Sequence, residues 1–172
     1  MVKSLKLAID VQYVDDKAVV AGVLFRDWDC EHVYETIVKE VSPVAPYEPG
    51  SFYKRELPCI LSLLDDVAES IETIIVDGYV NLGAEQAAGL GMHLYKALGE
   101  TINVIGVAKK PFKDTPRDCE VFRGKSLNPL YVTAVGISLD EAKLAITKMH
   151  GKHRHPTLLK KADQLCRGIC CA

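Results

Sequence analysis

No apolar run in this sequence approaches the ~20 residues that a membrane-spanning helix requires, and no internal repeat or low-complexity tract interrupts it. The opening Met1-Val2-Lys3-Ser4 leads straight into a strand-like segment, which argues against a secretory leader. Six cysteines are present, but none forms the paired Cys-x-x-Cys spacing of a zinc knuckle. Three of them close the chain as Cys166-x-x-x-Cys170-Cys171, and none stands fourth from the end, so there is no prenylation box. Reduced thiols in a cytoplasmic, membrane-free protein are therefore expected.

An excess of one charge is also lacking: the formal net charge is −2. That balance hides an asymmetry. Between Lys143 and Ala172 seven Lys or Arg face one acid, Asp163, so this stretch carries +6 and the remainder −8. His150, His153 and His155 lie in the same stretch. Local positive charge suits a polyanion, because phosphate contacts need a basic patch rather than a basic protein. Taken alone, the stretch reads as an amphipathic terminal helix with a solvated basic face. The 172 residues, 48% hydrophobic and 26% charged, are enough for one domain spanning the chain.

Alternating and continuous apolar runs predict strands over 5–13, 18–25 and 32–41, with a polar turn at 14–17, as in an antiparallel meander. Pro43, Pro46 and Pro49 make 42–50 a loop. A helix is expected from Ser51, with Pro58 as a complication in its first turns. A short strand over 71–76 and a helix over 82–98 follow, with Gly89 and Gly91 permitting a close neighbour. Further strands are expected over 102–108 and 130–135, with a short one near 119–122. Ser138 is a good N-cap for a helix reaching Met149, and Pro156-Thr157 begin a last helix carrying Asp163. Three hairpin-linked strands followed by alternating helices and strands predict an α/β fold. Its mixed sheet has the first strand central and helices on its flanks, the ribonuclease H-like arrangement.

Three acidic residues stand out against this pattern. Asp10 closes Leu5-Lys6-Leu7-Ala8-Ile9, Asp77 closes Ile74-Ile75-Val76, and Glu56 follows Lys54-Arg55. A carboxylate at the mouth of a buried strand costs several kcal/mol unless it is paired or binds a cation. Three such groups converging would offer hard oxygen ligands to Mg²⁺ or Mn²⁺. In the expected sheet Asp10 and Asp77 are neighbours, and Glu56 reaches them from the intervening helix. Each residue has an ordinary alternative: a solvated strand end for Asp10, a surface helix charge for Glu56, and an Asp-Gly turn for Asp77.

Several ordered blocks then resemble the endonuclease V family, the deoxyinosine-directed repair nucleases. Ala8-Ile9-Asp10-Val11 resembles the family's first-strand block, and Pro46-Tyr47-Glu48-Pro49-Gly50 its Pro-Tyr-x-Pro-Gly loop, with Arg55-Glu56 at the right distance. Val76-Asp77-Gly78 is similar to the second aspartate block, Gly89 to Leu94 with His93 to its Gly-x-x-Ser-His-Leu helix, and Ile105-Gly106-Val107-Ala108-Lys109 to its Ile-Gly-Val-Ala-Lys. Tyr131 to Ala142 and Pro156 to Asp163 match the final strand and helices.

The resemblance implies a Mg²⁺-dependent DNA repair endonuclease, with Mn²⁺ as a substitute. It would cut the second phosphodiester 3′ to deoxyinosine, leaving a 3′-hydroxyl and a 5′-phosphate. Asp10, Glu56 and Asp77 would hold the metal and Asp163 would complete the site. Lys109 would hold the scissile phosphate or its water, its ordinary alternative being a solvated strand end. Tyr47, in the loop of Pro46, Pro49 and Gly50, would act as the wedge beside an everted base or would simply pack in its loop. His93 would lie at the nucleic-acid surface or serve as a core histidine. The expected partner is DNA containing deoxyinosine, with inosine RNA as the alternative substrate, and the expected state a monomer. A non-catalytic nucleic-acid-binding relative is the reading from a different class.

The chain departs from the family pattern in four places. Tyr79-Val80-Asn81-Leu82-Gly83 stands where relatives have Ala-His-Pro, and Lys110 replaces the serine after the family lysine. The helix before the first strand is missing, and the segment before Leu130 is shorter. These changes bear on lesion recognition more than on the carboxylates.

Overall fold

The computed structural model describes residues 4–44, 46, 48–49 and 53–168. Its frame is a seven-stranded sheet in the order β3-β2-β1-β4-β7-β9-β8. The strands are β1 (Leu5–Val14), β2 (Lys17–Phe25), β3 (Glu35–Val41), β4 (Ile71–Asp77), β7 (Asn103–Ala108), β8 (Glu120–Val121) and β9 (Leu130–Val135). β1 is antiparallel to β2 and β2 to β3, which is the expected meander. β4 is parallel to both β1 and β7, while β9 runs antiparallel to β7 and β8 to β9. β1 is therefore interior, with β4 as the middle strand. This is the mixed, ribonuclease H-like sheet that the order of elements implied.

Strand alternation divides the core. Leu7, Ile9 and Val11 of β1, with Ile74 and Val76 of β4, face α1 (Tyr53–Leu64) and α2 (Leu90–Ala97), where Ile60, Leu63, Leu90 and Leu94 are buried. Ala8 and Ile75 face the other way, onto α3 (Leu139–Lys148) and α4 (Thr157–Cys166) through Ile146, Leu158 and Ala162. Helices on both faces leave β4 buried from Thr73 to Val76, with Ile74, Ile75 and Val76 apolar. Ser138 caps α3 by accepting the Glu141 N–H at 3.2 Å, as its position predicted.

Three local expectations are corrected. The helix expected over 82–98 begins only at Leu90, and the residues before it form a ribbon of β5 (Asn81–Leu82) and β6 (Ala87–Ala88). Gly83 and Gln86 turn that ribbon with positive φ, and this outweighs the helix-favouring composition of Ala84 to Ala88. β3 starts at Glu35 rather than His32, and α1 runs through Pro58 without a break. Gly91 does permit a close neighbour: a Cβ there would lie 2.6 Å from Val80 Cγ2.

Candidate metal centre and active site

The register of two parallel strands creates the site. Ile9 lies opposite Val76, so Asp10 and Asp77 emerge next to one another where β4 ends. Asp10 shares its parity with Ala8 and Asp77 with Ile75, so both face α4 rather than α1. α4 brings Asp163 to Asp10, with Cys166 one turn farther along the helix. Lys109 follows the last residue of β7, and His155 sits just before α4. Asp10, Asp77, Lys109 and His155, with Leu159 and Ala162, line a cavity of about 20 Å³ at these strand ends. Glu56 comes from α1 on the opposite face and is only 7% exposed.

The acids hold one another's protons. Burial, then the Asp77 charge, then Asp163, push the Asp10 carboxyl up to about 7, although Val11 N–H donates to its Oδ1 at 2.9 Å. Glu56 is pushed well above the usual carboxylate range by burial, then by Asp10 and Asp77, and Arg55 offsets only part of this. The cleft walls also raise the Asp77 carboxyl, opposed by Lys109 and Arg167 and reinforced by Asp163. Because Asp77 is exposed at the mouth, solvent tempers that effect. Burial, followed by the Asp10 and Asp163 charges, pushes the Cys166 thiol up to about 12. His155 is lowered to about 4, chiefly by burial and then by Lys109, so its imidazole is neutral at physiological pH.

The Asp10 and Asp163 carboxyls come within 4.8 Å of one another. Two negative charges that close repel unless something positive stands between them, and a divalent cation satisfies both. Buried Glu56 receives no hydrogen bond from any described residue, although its charge bears on Asp10 and Asp77. The oxygen donors present therefore fit a hard divalent cation. Among the described residues, one group of three potential ligand atoms lies within 4.8 Å of one another: Asp10, Asp163 and Cys166. Glu56 and Asp77 complete the acidic cluster from outside that tight set.

Two arginines tie down the loop that carries His155. The Arg123 guanidinium is buried and donates to the carbonyls of Met149 at 2.6 Å, Gly151 at 2.9 Å, His153 at 2.7 Å and Arg154 at 3.3 Å. Arg154 in turn donates to the Lys109 carbonyl and to Pro129 O at 2.7 Å. The chain before α4 is thus fastened to the end of β7, beside Lys109.

The structure brings together Asp10, Glu56, Asp77, Lys109 and Asp163, while other expected residues stand apart. His93 does not line the cavity: it stacks on Tyr53 with ring centroids 3.6 Å apart, joining α2 to α1. Pro46 and Pro49 are exposed, whereas Tyr47 and Gly50 lie outside the described residues. The histidine trio is divided, since His150 pairs with Glu31 at 3.4 Å and His153 is exposed, leaving His155 alone in the cavity. The sequence reading had Cys166 only as one of the reduced thiols near the C-terminus, and the Arg123 fastening had no part in it. The signal for Cys166 was its i+3 spacing from Asp163, which puts both on one helix face. Tyr79, in the divergent block, anchors the strip after Lys109 by donating to Lys110 O at 2.6 Å and accepting from Phe112 N–H at 3.1 Å.

The chain is similar to known proteins of one family. The family model described as Endonuclease V matches residues 3–131. The chain is 33% identical to Endonuclease V of Thermococcus kodakarensis, over 94% of this chain and 77% of that one. It is 32% identical to Endonuclease V of Streptomyces avermitilis, over 92% and 77% of the two chains. The crystal structure of Endonuclease V from Streptomyces avermitilis superposes with a TM-score of 0.75 at 26% identity, covering 96% of this chain and 81% of that one. Ciona intestinalis Endonuclease V, in complex with a 24mer DNA containing an inosine followed by a ribo-adenosine, shares the fold at a TM-score of 0.77 and 19% identity, over 96% and 85%.

Proposed function

From its membership of the endonuclease V family, which the matched residues 3–131 establish, we propose that this chain is a divalent-cation-dependent endonuclease acting on DNA that contains deoxyinosine. The observation that carries the reading is the convergence of Asp10, Glu56, Asp77 and Asp163 with Lys109 at one set of strand ends. Asp10, Glu56 and Asp77 would hold Mg²⁺, or Mn²⁺ in its place, with Asp163 supporting Asp10. Bound there, the cation would lower the pKa of a water and neutralise charge at the phosphoryl group.

The protein's own groups have distinct parts. Lys109 draws the scissile phosphate to the mouth beside Asp77, and the Arg154 bond to its backbone fixes where it stands. His155, neutral and walled by Leu159 and Ala162, excludes bulk water while leaving a ring nitrogen free to exchange a proton. Tyr47, between Pro46 and Pro49, would fill the gap left by an everted base. The bond cut is the second phosphodiester 3′ to the lesion, giving a 3′-hydroxyl and a 5′-phosphate.

The test is cleavage of end-labelled single-stranded and duplex oligonucleotides bearing one deoxyinosine, with Mg²⁺ or EDTA, beside unmodified DNA and inosine RNA. A Mg²⁺-dependent cut one nucleotide beyond the lesion, lost in Asp77→Ala without unfolding, is expected. Preference for the RNA would move the substrate within the same chemistry. No cut by folded protein with either metal would replace the enzyme by a non-catalytic binding protein.

A further inference from the structure

The hard-oxygen cluster holds one donor that Mg²⁺ does not use. Cys166 is 2% exposed, and α4 places it one turn from Asp163, so both side chains meet Asp10 across the α4–β1 contact. All three ligand atoms lie within 4.8 Å of one another. Zn²⁺ bonds of ~2.0 Å to oxygen and ~2.3 Å to sulfur put tetrahedral ligands ~3.5 Å apart, within reach of small rotamer changes. Glu56, nine-tenths buried and without a hydrogen-bond donor among the described residues, is a further carboxyl whose electrostatic influence reaches Asp10.

We propose that Asp10, Asp163 and Cys166 form a mixed oxygen–sulfur site for a thiophilic divalent cation, Zn²⁺ or Cd²⁺. Thiolate selects such cations over Mg²⁺, whereas carboxylates alone do not. On binding, the Cys166 S–H bond breaks, its proton leaves to solvent, and the sulfur pair forms the metal bond; no electron is transferred. The thiol gives up its present hydrogen bond to the Asp163 carbonyl, 3.1 Å away. Because Asp10 belongs to both donor sets, the soft cation and Mg²⁺ exclude one another. Only this competition rests on the nuclease reading, and it makes the thiophilic ion an inhibitor held by the protein's own cysteine.

The experiment uses the metal-free chain carrying Cys170→Ser and Cys171→Ser, titrated with Cd²⁺. We expect a thiolate-to-Cd²⁺ ultraviolet band that saturates near one cation per chain with release of at least one proton, that of the Cys166 thiol. The band should be lost in Cys166→Ala and in Asp10→Asn, each checked for folding by circular dichroism. It should also be erased by excess Mg²⁺ in the parent chain, a readout that needs no substitution in the site. A band that survives either substitution, or its absence in the parent, overturns the site. Indifference to Mg²⁺ overturns the shared use of Asp10. Failure of the nuclease reading would show as no cleavage with Mg²⁺ while the Cd²⁺ band and its two losses stand.

Discussion

Asp10 answers opposite demands in the metal-free and metal-bound protein. Without a cation its carboxyl titrates near 7 rather than 3.8, because burial and the charges of Asp77 and Asp163 disfavour ionisation. A raised folded-state pKa means that the folded chain keeps a proton that the unfolded chain has lost. Stability in EDTA should therefore fall as pH rises from about 4 through about 7, and the fall should be smaller in Asp10→Asn. His155 works the other way, since its lowered pKa withdraws stability as pH drops below 6.5 towards 4. The difference between parent and Asp10→Asn melting curves across pH isolates the carboxylate, and saturating Mg²⁺ should flatten it. At Lys109 the expected effect is on rate: Lys109→Ala should lower kcat about 100-fold, with Mg²⁺ binding by calorimetry nearly preserved. Both aspartates were legible as acids ending apolar runs. Glu56 was singled out with them, although Lys54 and Arg55 give it the look of a surface charge, and its burial on α1 shows that it is not one.

Between residue and fold, two elements hold the site in shape. Among the described residues Arg123 pairs with no carboxylate, and its guanidinium donates to four backbone carbonyls of 149–154. Removing it in Arg123→Met would orphan those acceptors, at a cost of about 3 kcal/mol and roughly 10 °C in melting temperature. Hydrogen exchange should rise over 149–157, and cleavage should weaken because His155 rides on that loop. Gly106 of β7 sets the path of the chain after Asp77: a Cβ there would lie 2.5 Å from Gly78 O and 2.8 Å from Thr133 Oγ1. That hydroxyl accepts the Val80 N–H at 2.8 Å. Gly106→Ala should therefore cost about 2 kcal/mol in denaturant melts and weaken Mg²⁺ binding, by displacing the backbone next to Asp77. The strands and the α3 cap were readable locally, whereas the ribbon over 81–88 was not. Its residues favour helix, and what excludes helix is the packing of Tyr79 and Val80 against Gly89 and Gly91.

At the scale of the molecule, the basic stretch near the C-terminus becomes one wall of a groove beside the carboxylates. His153, Lys160 and Lys161 line it together with His155, Asp163 and the opposing Glu31. A nucleic-acid strand leaving the cavity would follow this groove. Lys160→Ala and Lys161→Ala should each weaken oligonucleotide binding in Ca²⁺, with or without inosine, and lower the slope of log affinity against log salt by about 1. Titrations by fluorescence anisotropy at several salt concentrations measure this. Among the described residues no helix is long and apolar enough to cross a membrane, in line with the absence of such a run in the sequence. The sequence by itself determined the order of strands, the two faces of the sheet and the aspartates of β1 and β4, because periodicity and the cost of burying charge are local properties. Only the tertiary structure decided which histidine enters the cavity, that Glu56 is buried, and that Cys166 meets Asp10. Each depends on how a helix or loop distant in sequence packs on the sheet, and that packing is set by the whole core.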